Sequence, residues 1–128
     1  MKSTTTKNKL RFVLHKHWAT HLHWDFRLEK DGVLKSWAVP KGLPKEPGIR
    51  RLAIQVEDHA LDYIDFQGII PEGYGAGKVE IDDKGTYDLV EASKDEISLV
   101  LNGEKFRSGF TLYRIKDQQW LITKWLSN

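Results

Sequence analysis

Four of the five histidines, His15, His17, His21 and His23, fall within nine residues, and the last opens the run His23-x-Asp25-x-Arg27. In a strand, residues two apart point to the same side and lie roughly 6.5–7 Å apart. An imidazole, a carboxylate and a guanidinium then share one face. The first two can reach one divalent ion, at ligand distances of about 2.0–2.2 Å, if their side chains converge. A neighbouring strand must supply a third ligand. If residues 10–16 pair with residues 22–29 around a turn at 18–20, His17 emerges beside His23, within the cross-strand reach of about 5 Å. Two His and one Asp hold a metal while leaving positions open, which is the pattern of a catalytic rather than a closed structural site. A lone histidine on a strand face is ordinarily just solvated. The grouping of His17, His23 and Asp25 beside an arginine is what points to a site.

Further residues fit the same chemistry less sharply. Lys41 and Arg51 bracket a proline-rich loop, Glu57 and His59 end a strand, and Tyr63 follows. Histidine ordinarily titrates near neutral pH, so His59 suits a general acid or base, or a donor to phosphate. The loop PEGYGAG at 71–77 is rich in glycine but has no strand–helix phosphate signature around it. The five Trp are mainly core candidates; Trp18, at a turn, is the one placed to stack on a base.

The elements that must position these residues read as strands. Leu22, Trp24, Phe26 and Leu28 alternate with His23, Asp25, Arg27 and Glu29, a strand with one apolar face. Asp31-Gly32 is a two-residue turn signal, and residues 33–39 (VLKSWAV) continue as its hairpin partner. Prolines and glycines mark a loop over 40–50. Residues 51–57 alternate again, with Leu52, Ile54 and Val56 on one face and Arg51, Gln55 and Glu57 on the other. Further strands are expected at 78–81, 86–90, 97–101, 106–115 and 120–125, with turns at Lys84-Gly85, Asn102-Gly103 and Asp117-Gln118 and room for one short helix over 91–98. The fold class is all-β: a compact antiparallel barrel of about eight short strands with a polar active-site cavity. Residues 1–9 are expected to be a flexible arm and 10–128 a single domain.

Composition narrows the function. The 128 residues contain no Cys, which excludes a disulfide scaffold, a Cys-containing zinc site and a thiol nucleophile. No apolar run approaches the roughly 20 residues of a spanning helix, and no signal-peptide core opens the chain, so a cytoplasmic protein is expected; a monomer is the expected state. Residues 1–51 carry 12 Lys/Arg against 4 Asp/Glu, a net +8, and the remainder carries 8 against 14, a net −6. Such asymmetry suggests an anionic partner.

The stretches HLHWDFRLE, LKSWAVPKG and VEDHALDY, within a match running from about Leu10 to Lys124, closely resemble the 3′-phosphoesterase domain of bacterial ATP-dependent DNA ligase D and its free-standing relatives. The resemblance implies a β-barrel enzyme that heals DNA or DNA/RNA primer-template 3′ ends with a divalent metal, usually manganese. Such an enzyme removes a terminal ribonucleoside and then the 3′-phosphate, leaving a 3′-hydroxyl for end joining; 128 residues hold no ligase module, so a separate DNA ligase and end-joining proteins are the expected partners. It also implies that His17, His23 and Asp25 are metal ligands, that Arg27 and His59 contact the scissile phosphate, and that Lys41, Arg51, Glu57 and Tyr63 belong to the site. Position 15 is His where the family commonly has Gln, and the glycine loop is shortened. The ligase-linked domains also carry a longer N-terminal arm, so phosphate removal is expected to outpace ribonucleoside removal here. Two other readings compete: a non-haem iron oxygenase using His23, Asp25 and His59, and a DNA-end binding module without catalysis.

Overall fold

In the computed structural model, residues 9–73 and 75–126 are described; the expected arm lies outside them except for Lys9, whose ammonium pairs with Asp88 at 2.6 Å. The chain forms β1 (Leu10–Trp18), β2 (Leu22–Lys30), β3 (Val33–Val39), β4 (Arg50–His59), a 3-10 helix (Leu61–Asp65), β5 (Gly68–Ile70), β6 (Gly77–Ala92), β7 (Glu96–Gly103), β8 (Gly109–Lys116) and β9 (Gln119–Lys124). The order β1-β2-β3-β4-β9-β8-β7-β6 closes through a β1–β6 pairing, so eight antiparallel strands make a barrel and β5 adds to β6 outside it. Among the described residues, no helix is long and apolar enough to cross a membrane.

Two ladders fix the site. Asp31 (φ 54) and Gly32 (φ 83) supply the two left-handed residues of the expected hairpin turn, so Arg27 faces Ser36 and Asp25 faces Ala38. Between β1 and β2 the register sets His17 opposite His23 and His15 opposite Asp25. Period-two alternation then sends Phe26 and Leu28 inward and Asp25 and Arg27 outward. The interior is apolar, built from residues such as Phe12, Leu14, Phe26, Leu28, Trp37, Leu101, Phe110 and Ile122. Each large side chain buried this way contributes about 1.5–3 kcal/mol. The polar cavity therefore lies on the outer face of the barrel, beneath the segment that follows β4, and not inside it. A second small cluster of Val13, Leu34 and Ile64 seats the 3-10 helix on that face.

Several expectations need correction. No helix forms over 91–98: Glu91 and Ala92 end β6, Glu96 begins β7, and the short helix is instead Leu61–Asp65. Lys84-Gly85 is no turn, because β6 runs through it. Gly85 and Gly103 face each other across the β6–β7 ladder, where a Cβ on Gly85 would lie 2.2 Å from the Asn102 carbonyl oxygen. These glycines mark close backbone approach at a barrel corner. The turn sits one step later: the buried Asp83 carboxylate accepts backbone N–H groups from Lys84, Glu104 and Phe106 at 2.8–2.9 Å and holds the link to β8 in place, so that strand begins at Gly109 and not at 106. On β4 the buried residue is Ala53, while Leu52 is exposed and Val56 lines the outer cavity. Trp120 sits opposite Ala53 and meets Trp37 edge-on at 5.5 Å, filling the interior so that only a small residue fits.

Candidate metal centre

On the outer face, His17, His23 and Asp25 each offer a ligand atom, and these atoms all lie within 4.8 Å of one another. His17 Nδ1 is 3.2 Å from Asp25 Oδ2, and His23 Nε2 is 3.2 Å from Asp25 Oδ1. The far nitrogen of each ring faces a backbone carbonyl, His17 Nε2 that of Gly75 at 2.9 Å and His23 Nδ1 that of His21 at 3.0 Å. A carbonyl only accepts, so each far nitrogen carries a proton and donates it. In the neutral rings the lone pairs then converge with the carboxylate oxygens. Such a group is stable only around a cation, either shared protons or a metal. Carbonyl partners that orient the ligating nitrogens are the usual outer support of metal-binding histidines. Atoms 3.2 Å apart also match adjacent ligands bound at about 2.2 Å. The donor set fits a divalent ion, with an Arg and open cavity beside it.

Burial opposes ionisation of Asp25, but the His23 contact and the Arg27 charge outweigh it and hold the carboxyl below its ordinary range. The same Asp25 contact raises the His23 imidazole, against partial burial.

Arg27 links the ligands to the rest of the cavity. Its Nη2 is 3.4 Å from Asp25 Oδ2, its Nε donates to His15 Nδ1 at 3.1 Å, and its Nη1 donates to Ser36 Oγ at 2.9 Å. That Nη1 also lies 3.1 Å from His59 Nδ1. Arginine can only donate, so His59 Nδ1 accepts there and its proton rests on Nε2. Burial first, and then Arg27, lower the His59 imidazole, in keeping with a neutral ring. The Glu57 carbonyl is 3.1 Å from the same Nδ1, so protonating that nitrogen would trade one partner for the other. Tyr63, from the 3-10 helix, lies with its ring 5.0 Å from the Arg27 guanidinium carbon and stacks on Phe66 at 4.9 Å.

The cavity, about 590 Å³, is lined by His17, His23, Asp25, Arg27, Glu57, His59 and Tyr63 together with Ala38, Ile70 and Gly75. Lys41 and Arg51 are not among its lining residues. Arg51 instead donates to the carbonyls of Lys41 and Gly42. His59, which an iron-oxygenase triad would need as its third ligand, contacts Arg27 and stands outside the ligand group. Four contributors escaped the sequence reading. Ser36 is predictable in retrospect, because the Asp31-Gly32 turn sets it opposite Arg27. The carbonyls of Phe66, His21 and Gly75, which face His15 Nε2, His23 Nδ1 and His17 Nε2, carry no side-chain signature at all.

Residues 15–114 match the family described as the DNA Ligase D 3′-phosphoesterase domain. A multifunctional non-homologous end joining protein LigD of Pseudomonas aeruginosa is 48% identical over 125 residues, covering 90% of this chain and 15% of that protein. A multifunctional non-homologous end joining DNA repair protein LigD of Mycobacterium tuberculosis is 48% identical over 115 residues, covering 86% and 15%. The LigD of Mycolicibacterium smegmatis is 43% identical over 128 residues, covering 91% and 17%. The chain therefore spans less than a fifth of the length of these relatives.

Proposed function

The chain belongs to the DNA ligase D 3′-phosphoesterase domain family, and from that premise we propose that it is a divalent-metal-dependent phosphoesterase trimming the 3′ ends of nucleic-acid strands. The observation that carries the reading is the convergence of His17 Nδ1, His23 Nε2 and the Asp25 carboxylate, with Arg27 beside them in one open cavity. Manganese is the proposed ion. A divalent cation bound there supplies charge neutralisation at a phosphate oxygen and lowers the pKa of water.

The protein's own side chains do the rest. Arg27, fixed by His15, Ser36 and His59, presents a permanent positive charge to the phosphate as charge redistributes. His59 offers its Nε2–H as a second donor. Glu57 and Tyr63 form part of the wall, and the Tyr63 ring lies against the guanidinium. Lys41 and Arg51, off the cavity, are assigned to the approaching strand. Hydrolysis of a 3′-phosphate adds the water oxygen to phosphorus, breaks the bond from phosphorus to the 3′ oxygen, and returns a proton to that oxygen. Removal of a terminal ribonucleoside breaks the other ester bond and leaves the 3′-phosphate. The relatives' names speak of non-homologous end joining, which would make a DNA ligase activity the consumer of the product; a cytoplasmic monomer is the proposed state.

The test is release of inorganic phosphate from a primer ending in 3′-phosphate, with manganese and with chelator. Manganese-dependent turnover is expected, together with its loss in Asp25→Ala. Mutating residues that merely orient a ligand costs about 10–100-fold in metal affinity or activity, so removing a ligand should cost more. A folded protein that binds manganese equally well with and without Asp25, or that shows no turnover with any divalent ion, overturns the reading.

A further inference from the structure

A second cavity, of about 540 Å³, opens at the end of the barrel where β1, β3, β7 and β9 finish. Among the described residues, five cations line it, Lys16, Lys45, Lys105, Arg107 and Lys124, against one carboxylate, Asp82, which pairs with Lys105 at 2.7 Å. Lys45 and Arg107 are exposed and make no ion pair among the described residues. Trp24 and Phe106 give the cavity an aromatic wall. The loop that carries Lys105 and Arg107 is preset, because Asp83 binds its backbone N–H groups on both sides of Lys105.

Its position matters as much as its charge. The rung Lys16–Trp24 is the next rung of the β1–β2 ladder after His17–His23. Successive residues point to opposite faces, so the metal centre and the basic mouth lie back to back across one edge of the barrel. Trp18, at that edge, has the ammonium groups of Lys16 and Lys78 at 4.9 and 5.1 Å from its ring. Cations interleaved with aromatic faces suit a polymer that alternates phosphates with bases. An isolated small anion would leave most of these charges unused.

We propose that this basic mouth binds the phosphodiester backbone of the same strand whose 3′ end enters the metal centre, a few nucleotides back from that end. The choice of strand rests on the phosphoesterase reading; the nucleic-acid contact itself does not.

The test uses the full chain and a 5′-labelled single-stranded DNA 12-mer ending in 3′-hydroxyl, with binding followed by anisotropy in chelator across a salt series. Lys45→Ala/Arg107→Ala is expected to raise Kd at least about fivefold. It should also lower the slope of log K against log salt by about 1.4, at roughly 0.7 per phosphate contact on single strands. Lys94→Ala/Lys116→Ala removes the same charge at the other end of the barrel and should leave both quantities within about twofold. On the 3′-phosphate form of the 12-mer the first variant should raise KM, while its turnover of a nucleoside 3′-phosphate stays at wild-type level. Undetectable wild-type binding, unchanged binding in the first variant, or an equal loss in the second overturns the inference. So does competition by polyglutamate equal to that by unlabelled 12-mer. If the binding shifts appear but no divalent ion supports turnover, the contact stands and the phosphoesterase reading falls. Normal turnover with unchanged binding removes the contact alone.

Discussion

Arg27 and His15 are joined by a hydrogen bond in which the guanidinium Nε–H donates to the imidazole Nδ1 at 3.1 Å, while His15 Nε2 donates to the Phe66 carbonyl at 3.0 Å. One lone pair and one proton are both used, which requires a neutral ring. Burial, reinforced by the Arg27 charge, pushes the His15 pKa down to about 4, so the ring is neutral throughout the physiological range. Glutamine offers the same acceptor and donor, and His15→Gln should keep turnover within a few-fold. His15→Leu leaves a buried guanidinium N–H unpaired, at a cost of about 1–3 kcal/mol. Urea unfolding and steady-state kinetics on both variants check this. Equal stability and turnover in the Leu and Gln variants would remove His15 from the positioning of Arg27.

Arg27→Lys should be far from conservative. The guanidinium reaches Asp25, His15, Ser36 and His59 at once, and a single ammonium cannot span that fork. Loss of a donor aimed at developing charge costs about 10²–10³ in rate. The expected result on the 3′-phosphate primer is a fall in kcat with little change in KM. An effect confined to KM would place Arg27 in ground-state binding.

Stability should weaken at alkaline pH through Tyr87, far from the cavity chemistry. Its buried hydroxyl donates to the Glu29 carbonyl at 2.6 Å, and burial, then the Glu29 and Asp31 carboxylates, push its pKa up to about 12. The unfolded chain loses that proton near pH 10 and the folded chain holds it. The stabilisation is therefore fully present below about pH 10 and is lost as pH rises toward 12, amounting to roughly 3 kcal/mol. Tyr87→Phe forfeits the hydrogen bond below pH 10 but removes this part of the slope. Unfolding free energies of the two proteins between pH 9 and 11.5 should converge; parallel curves would contradict the assignment.

Gly103→Ala tests the barrel corner. A Cβ there would sit 2.3 Å from Asp83 Oδ2 and 2.7 Å from Phe12 Cζ. Both neighbours are buried and held, Asp83 by backbone N–H groups and Phe12 by the core. Overpacking of this kind costs about 1–3 kcal/mol. The loss should appear in denaturant melts and should weaken the 12-mer contact too, because Asp83 presents Lys105 and Arg107. A variant as stable as the parent would show that the corner relaxes freely.

The grouping of His17, His23 and Asp25 was legible in the residues because it depends only on local rules. A strand's period of two fixes which residues share a face, a short turn fixes His17 opposite His23, and the Asp31-Gly32 hairpin fixes Arg27 opposite Ser36. Everything else in the cavity required closure of the barrel. His59, Tyr63 and Gly75 lie 32 to 58 positions from the groups they meet, and no local period encodes a separation of that length. Alternation also does not say which face is inside. Leu52, Ile54 and Val56 look like core until Trp37 and Trp120 fill the interior and leave room for Ala53 alone. Charge behaved likewise. The sequence divides into a basic and an acidic part, yet the barrel mouth collects Lys16 and Lys45 from the first and Lys105, Arg107 and Lys124 from the second. Antiparallel closure brings alternate strand ends to one rim regardless of their distance along the chain, and linear charge counts cannot anticipate that.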